Sequence, residues 1–321
     1  HSLKIWENME QDLNYNTMLS QRGCLMLAHS DGQMDGLARR GNMMHMQGDD
    51  DAELLSVEAI KKLTPYLNFD NPRFPIYGGL MHWRGGTARH DAVAWGYARG
   101  ADMRGVDLIQ NCEVKGFRIE NGKVLGVETS RGFIGAGKVG MTVAGRSSQV
   151  GEMAGLRLPI ESHVLQAFVS EGLKPIMDNV ISFGMGHFYI SQSDKGGLVF
   201  GGDLDGYNSY AQRGNLPMAE HVAEAGMALM PMIGKAKMLR SWGGIMDMSM
   251  DGTPIIDKTD IEGFFINCGW CYGGFKAVPG SGSVFAHLMA TGNYHKAADM
   301  FQLKRFETGH VIDETGNGAT P

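Results

Sequence analysis

Three stretches of the sequence combine glycines with a charged or ring-bearing side chain, the combination that a flat or anionic ligand needs in order to lie against backbone. The first is Arg84-Gly85-Gly86-Thr87-Ala88-Arg89-His90-Asp91. Its two glycines allow close approach, and an expected helix start flanked by two arginines is suited to an anion. The ring of His90 stands at that start, although a lone histidine is more often structural. The second is Val139-Gly140-Met141-Thr142-Val143-Ala144-Gly145-Arg146-Ser147-Ser148. A buried strand that ends in Ala-Gly and a turn is how an α/β sheet offers backbone to a ligand at its carboxyl edge. The third is Gly269-Trp270-Cys271-Tyr272-Gly273-Gly274-Phe275-Lys276, just ahead of an expected helix. Its glycines let the chain lie close to a flat ligand, and Lys276 adds a cation.

Other matches to chemical motifs have simpler explanations. Gly135-Ala136-Gly137-Lys138-Val139-Gly140 spells G-x-G-x-x-G, but that fingerprint needs a strand before it and a helix after it. Here a strand follows, so a glycine-rich hairpin turn is expected. The overlapping match to G-x-x-x-x-G-K has Val139 where a hydroxyl would reach a metal. Cys268-Gly269-Trp270-Cys271 lacks the second pair or thioredoxin-like setting that a redox or metal role requires, so two ordinary thiols are expected. The histidines show no metal-ligand spacing, and no metal site is expected. Asp49-Asp50-Asp51 reads as a solvated turn, and the methionines of 218–232 read as core packing.

The elements that must carry these clusters follow from periodicity. Leu3, Trp6, Met9 and Leu13 have helical spacing within 3–19, and a strand is expected at 24–28. Helices are expected near 32–46 and 57–66, then a loop with an edge strand over 68–86. Thr87 is expected to cap a helix running to about 104. Strands are expected at 106–109 and 112–119, with Asn121-Gly122 turning the chain into 123–129 and Arg131-Gly132 turning it again toward 138–143. Further strands are expected at 164–170, 181–183, 187–191, 198–201 and 263–267, with helices at 218–230 and 279–290. Strands alternating with helices at both ends, and antiparallel strands between, predict an α/β domain interrupted by an inserted antiparallel domain.

Composition agrees with that picture. Glycine makes up 46 of 321 residues, about twice the usual share. With no G-X-Y period and clear apolar patterning, the excess points to turns and close backbone approaches. A net charge of −6 without a long basic run argues against a nucleic-acid partner. No apolar stretch is long enough to span a membrane, so no membrane is expected as a partner. Four cysteines fit a reducing, cytoplasmic setting.

Taken together and in this order, the clusters resemble the FAD-dependent amine oxidoreductases of the glycine-oxidase and sarcosine-oxidase type, a D-amino-acid-oxidase-like family. Arg84–Asp91, Gly201-Gly202-Asp203-Leu204-Asp205-Gly206-Tyr207-Asn208-Ser209-Tyr210 and Ser241-Trp242-Gly243-Gly244-Ile245-Met246-Asp247 are similar to the beta-subunit branch of heterotetrameric sarcosine oxidases. The similarity runs from about Trp6 to Asp313. It implies an α/β (α+β) fold: an FAD-binding Rossmann-like domain, truncated at its N-terminus, with an inserted antiparallel-sheet substrate domain. The expected parts are 1–84 and 161–242 for the substrate domain, and 85–160 and 243–321 for the FAD domain. Family members open with a strand, a true G-x-G-x-x-G and a helix; the resemblance therefore implies an expectation of about 80 residues before His1.

The resemblance also implies site roles. His90 matches the histidine that holds FMN covalently, and Val114 matches a backbone contact to the FAD adenine. Cys271, Gly274 and Lys276 match the late FAD loop, where FAD is bound non-covalently. Cys271 stands where glycine is usual, and Tyr272 where a smaller residue is usual. Lys276 would either hold the substrate carboxylate or stabilise the anionic reduced flavin. The implied activity is oxidative demethylation of sarcosine to glycine, with hydrogen peroxide and formaldehyde or methylenetetrahydrofolate as further products. Alpha, gamma and delta subunits are the implied partners, with tetrahydrofolate on the alpha subunit. Two alternatives stay open: an FMN-free FAD-dependent amine dehydrogenase or oxidase, in which His90 is only a helix-start residue, and a non-catalytic subunit fragment.

Overall fold

A computed structural model describes residues 1–184 and 187–312. In chain order the elements are α1 (Ser2–Leu13), β1 (Cys24–Ala28), α2 (Asp31–Met46), β2 (Ala52–Leu55), α3 (Val57–Leu63), β3 (Gly78–His82) and α4 (His90–Asp102). Next come β4 (Val114–Glu120), β5 (Lys123–Thr129), β6 (Gly132–Gly135), β7 (Val139–Met141), α5 (Ser147–Met153) and β8 (Ile160–Gly172). The remainder is β9 (Val180–Phe183), β10 (Phe188–Gln192), β11 (Gly197–Leu204), α6 (Leu216–Leu229), β12 (Met238–Ser249), β13 (Ile255–Lys258), β14 (Phe264–Cys268), α7 (Gly274–Thr291) and α8 (Arg305–Thr308). Among the described residues, no helix is long and apolar enough to cross a membrane.

The chain divides into two units. Among the described residues, one comprises 1–19, 88–163 and 245–312; the other comprises 20–87 and 164–244. Residues 1–19 belong to the unit that contains α4 and α7, apart from 20–87.

The second unit is built on an eight-stranded sheet in the order β12-β8-β11-β10-β9-β1-β3-β2. β1 runs parallel to β9, whereas the β1–β3, β3–β2, β9–β10, β10–β11 and β11–β8 pairs are antiparallel. Alternating inward residues such as Leu25, Ile181, Phe183, Ile190 and Phe168 meet Leu229 of α6 in one apolar core. Serine and asparagine caps set the helices: Ser30 Oγ accepts the Gln33 N–H, Ser56 Oγ the Ala59 N–H, and the Asn215 side chain the Met218 N–H.

The first unit holds two three-stranded sheets, β13-β14-β7 and β4-β5-β6. Asn121 and Gly122 turn β4 into β5 with φ of 49° and 76°, both positive as a two-residue I′ turn requires. β14 is buried on both faces. Phe264 and Ile266 join Met141 in one core, while Phe265 meets Val284, Phe285 and Leu288 of α7 in another.

Several local expectations need correction. α1 ends at Asn14, whose φ of 46° forms a left-handed cap, so the helix stops short of 19. Thr87 does not cap α4: Arg89 is the N-cap, without a side-chain bond. Residues 106–109 form no strand, and among the described residues they have no strand partner. β3 is not an edge strand but lies between β1 and β2. α7 begins at Gly274, so Pro279 lies inside it. β2, β12 and β13 were not expected at all.

Candidate functional site

β7 and β14 are parallel neighbours, with Val139 opposite Phe264 and Met141 opposite Ile266. Their chains therefore leave the sheet at the same carboxyl edge, the usual ligand edge of an α/β sheet. This brings the second and third clusters together. After β7 the chain turns through Ala144, whose φ is 44°. Ser147 Oγ donates to the Ala144 carbonyl at 2.6 Å, and Ser162 Oγ donates to that of Gly145 at 2.8 Å. A Cβ on Gly145 would lie 2.5 Å from the carbonyl oxygen of Ile245, so only glycine fits beside β12.

After β14 the loop is held from below. Gly269, at φ 70°, donates its N–H to Asp247 Oδ2 at 2.6 Å. Trp270 Nε1 donates to Asn267 Oδ1 at 2.6 Å. Cys271 adopts φ 48°, a left-handed conformation that costs an L-residue roughly 1–2 kcal/mol. That conformation gives a physical reason for glycine at this position. Ser249 Oγ lies 3.5 Å from Cys271 Sγ. Asp247 is only 4% exposed; burial raises its carboxyl pKa, against the pull of the Gly269 and Trp270 backbone groups. Cys268 is buried, and burial together with the nearby Asp247 raises its thiol pKa. No disulfide joins Cys268 to Cys271, and among the described residues no group of His, Cys, Asp or Glu is placed to hold a metal. Asp247 and Ser249 were missed as loop-holding groups, although Asp247 closes a motif quoted for the resemblance. The available signal was a pair of polar residues at alternate positions of an otherwise apolar segment.

At the end of this loop Gly273 and Gly274 have room around them. A Cβ on either would meet no protein atom closer than 3.4 Å, so packing within the chain does not demand glycine there. Lys276 is exposed in the first turn of α7. The G-x-G-x-x-G run behaves as a turn: β6 ends at Gly135 and β7 starts at Val139, with no helix after it. Gly140 is explained by packing, because a Cβ there would lie 2.8 Å from Met289 Sδ of α7.

The first cluster is divided between the two units. His90 is exposed at the first residue of α4. Beside it, Asp91 accepts two bonds from the Arg89 guanidinium and one from the Ala92 N–H. The Arg89 hydrogen bond is the main reason its carboxyl is held down to about 2. Within the other unit Arg84 faces Asp51 at 3.3 Å and Asp49 at 3.8 Å, and His82 Nε2 lies 2.9 Å from Asp49. Asp49 and Asp51 are therefore more than a solvated turn. Val114 opens β4 in the other small sheet, half-buried, and β4 packs on α5.

A family model for FAD dependent oxidoreductases matches residues 1–288. The chain belongs to that family. It is 68% identical over 320 residues to the sarcosine oxidase subunit beta of Rhizobium meliloti (strain 1021), covering 100% of this chain and 77% of the relative. It is 51% identical over 311 residues to the subunit of the same name from Rhodobacter capsulatus, covering 97% and 75%. Among solved structures, L-proline dehydrogenase from P.horikoshii superposes with a TM-score of 0.89 at 24% identity, covering 97% of this chain and 83% of that one. Glycine oxidase from Geobacillus kaustophilus gives 0.82 at 19%, covering 95% and 81%. These likenesses show the mixed α/β fold of this oxidoreductase class.

The family's FAD fits the residues present. The open glycines 273 and 274, the left-handed loop pinned by Asp247, and a helix N-terminus ending in a cation form a backbone cradle that internal packing leaves uncovered.

Proposed function

We propose that the chain acts in the oxidative demethylation of sarcosine as the beta subunit of a cytoplasmic sarcosine oxidase. Identity of 68% across 320 residues with a protein of that name carries this reading. Sarcosine, oxygen and water would yield glycine, formaldehyde and hydrogen peroxide. Where tetrahydrofolate is held on an alpha subunit, it would take the one-carbon unit instead. Gamma and delta subunits complete the assembly in this reading.

FAD, when bound, supplies a two-electron acceptor. The residues of the chain do the rest. Gly269 to Gly274 offer backbone to the flat ring system, and Val114 offers its backbone to the adenine. The substrate amine must be neutral, because only its lone pair can stabilise the cation that forms as the N-methyl carbon gives up hydride. Lys276 places a cation beside the site, to hold the substrate carboxylate or to stabilise negative charge on the reduced cofactor. His90, exposed at a helix start, would carry FMN through a ring nitrogen and so provide the route to oxygen.

The test is intact-mass and peptide-mass analysis of denatured protein made together with its alpha partner. An FMN-sized increment on the His90 peptide, lost in His90→Ala, is expected. An unmodified His90 peptide overturns the covalent assignment and leaves the FMN-free amine dehydrogenase or oxidase. Failure of sarcosine to bleach the flavin of the assembled protein overturns the catalytic reading itself.

A further inference from the structure

The helix that carries Lys276 is interrupted in its second turn. Pro279 lies inside α7, has no N–H for the Phe275 carbonyl and crowds that turn. The next pair of groups along a regular helix would be the Lys276 carbonyl and the Gly280 N–H. Both of these reach α1. Trp6 Nε1 donates to the Lys276 carbonyl at 2.9 Å, and the Gly280 N–H donates to Ser2 Oγ at 3.0 Å. The Ser2 hydroxyl in turn donates to the Ala277 carbonyl at 3.2 Å.

The contact is closely fitted. A Cβ on Gly280 would lie 2.3 Å from Ser2 Oγ, so the serine occupies the space that a side chain at 280 would take. Trp6 is 7% exposed, and its ring centroid lies 5.5 Å from that of Phe275. The same indole belongs to the apolar cluster formed with Met9 and with Val93 of α4. Through this cluster α1 packs on both the helix that carries Lys276 and the helix that opens with His90.

We propose that Trp6 and Ser2 are positioning residues for Lys276, setting the pitch and direction of the first turn of α7 so that the ammonium group faces the flavin. The proposal rests on the reading of Lys276 as a residue beside the flavin. A purely structural stitch would change stability and leave the flavin's properties alone. Positioning instead makes the effect of Trp6 depend on the presence of the Lys276 charge.

The test uses the flavin-loaded, assembled enzyme and compares Trp6→Phe, Ser2→Ala, Lys276→Met and the Trp6→Phe/Lys276→Met double variant. The readouts are thermal midpoint and sulfite affinity, followed by loss of flavin absorbance. Added sulfite brings negative charge to the ring, and a nearby cation favours it. Lys276→Met should weaken sulfite binding by about tenfold or more, the scale of a charge-assisted contact. Trp6→Phe, which keeps a ring but loses the donor, should weaken it by about threefold, and the double variant should be no weaker than Lys276→Met alone. Ser2→Ala should move it in the same direction, and carries the test if Trp6→Phe does not fold. If Lys276→Met shifts sulfite affinity while Trp6→Phe and Ser2→Ala change only the thermal midpoint, the positioning role is overturned and the role of Lys276 stands. Full additivity in the double variant overturns it equally. If Lys276→Met itself leaves sulfite affinity unchanged, the reading of Lys276 falls, and the positioning role falls with it.

Discussion

Asp247 offers the sharpest test of how the late loop is held. Its carboxylate is 4% exposed and accepts the Gly269 N–H at 2.6 Å. Asp247→Ala leaves that N–H without its acceptor in a place water does not reach, at a cost of about 1–3 kcal/mol. For a unit of this size, about 2–4 °C accompanies each kcal/mol, so the thermal midpoint should fall by about 2–12 °C. Asp247→Asn keeps a carbonyl acceptor and should stay within about 1 kcal/mol of the parent. The pH dependence adds a second, independent readout. Because burial raises this carboxyl's pKa, the folded state holds the proton more tightly than the unfolded chain. Its stabilising contribution is therefore full below the unfolded value, about pH 4, and is lost as pH rises through the raised folded value. Relative to Asp247→Asn, the parent should be at its best near pH 4 and lose ground toward neutrality. Differential scanning calorimetry of the three proteins from pH 4 to 7 measures both effects. Equal midpoints for the alanine and asparagine variants would refute the hydrogen-bond account, and a parent-to-asparagine difference that does not change with pH would refute the dominance of burial over the backbone hydrogen bonds at this carboxyl.

Two further perturbations follow from the same unit. Arg305 and Asp251 form a buried pair through contacts of 2.7 and 2.9 Å, so Arg305→Met should destabilise by about 3–5 kcal/mol in chemical denaturation. Burial alone would raise the Asp251 carboxyl pKa, but the Arg305 hydrogen bond holds it down to about 2. The parent's advantage over Arg305→Met should therefore persist above pH 4 and fade as pH drops toward 2. Cys271→Gly should relieve the left-handed strain, roughly 1–2 kcal/mol, against roughly 0.5–1 kcal/mol of extra glycine entropy. A small rise in thermal midpoint is expected; a fall would give the Ser249 contact to Cys271 Sγ the greater weight.

What could be read in advance depended on whether the signal was local. β1 and β5 occupy 24–28 and 123–129, as expected, because a short apolar run and an Asn-Gly turn are encoded within a few residues. β2 escaped notice because Ala52-Glu53-Leu54-Leu55 is short and does not alternate. β12 escaped because Gly243 and Gly244 interrupt it and much of its length faces solvent. Residues 106–109 misled in the other direction: their apolar run has strand character, but a strand also needs a partner. α7 starts at Gly274 rather than 279, and α1 supplies partners for the groups that neighbour Pro279 within it. At the site, the glycine loop and Lys276 were legible as a cluster. Asp247 was not, since its partner Gly269 lies 22 positions away in the sequence and only the packing of β12 against the loop joins them.

The pairing of α1 with α7 has a consequence for biosynthesis. Trp6 and its acceptor at Lys276 are 270 residues apart. At translation rates of about 5–20 residues per second, the ribosome needs roughly 15–55 s to reach the second after making the first. Throughout that interval the indole is without the partner it has in the finished protein, and three separate stretches of chain must have emerged before their unit can close. α7 completes the environment of α1, so this unit cannot finish folding until α7 has emerged.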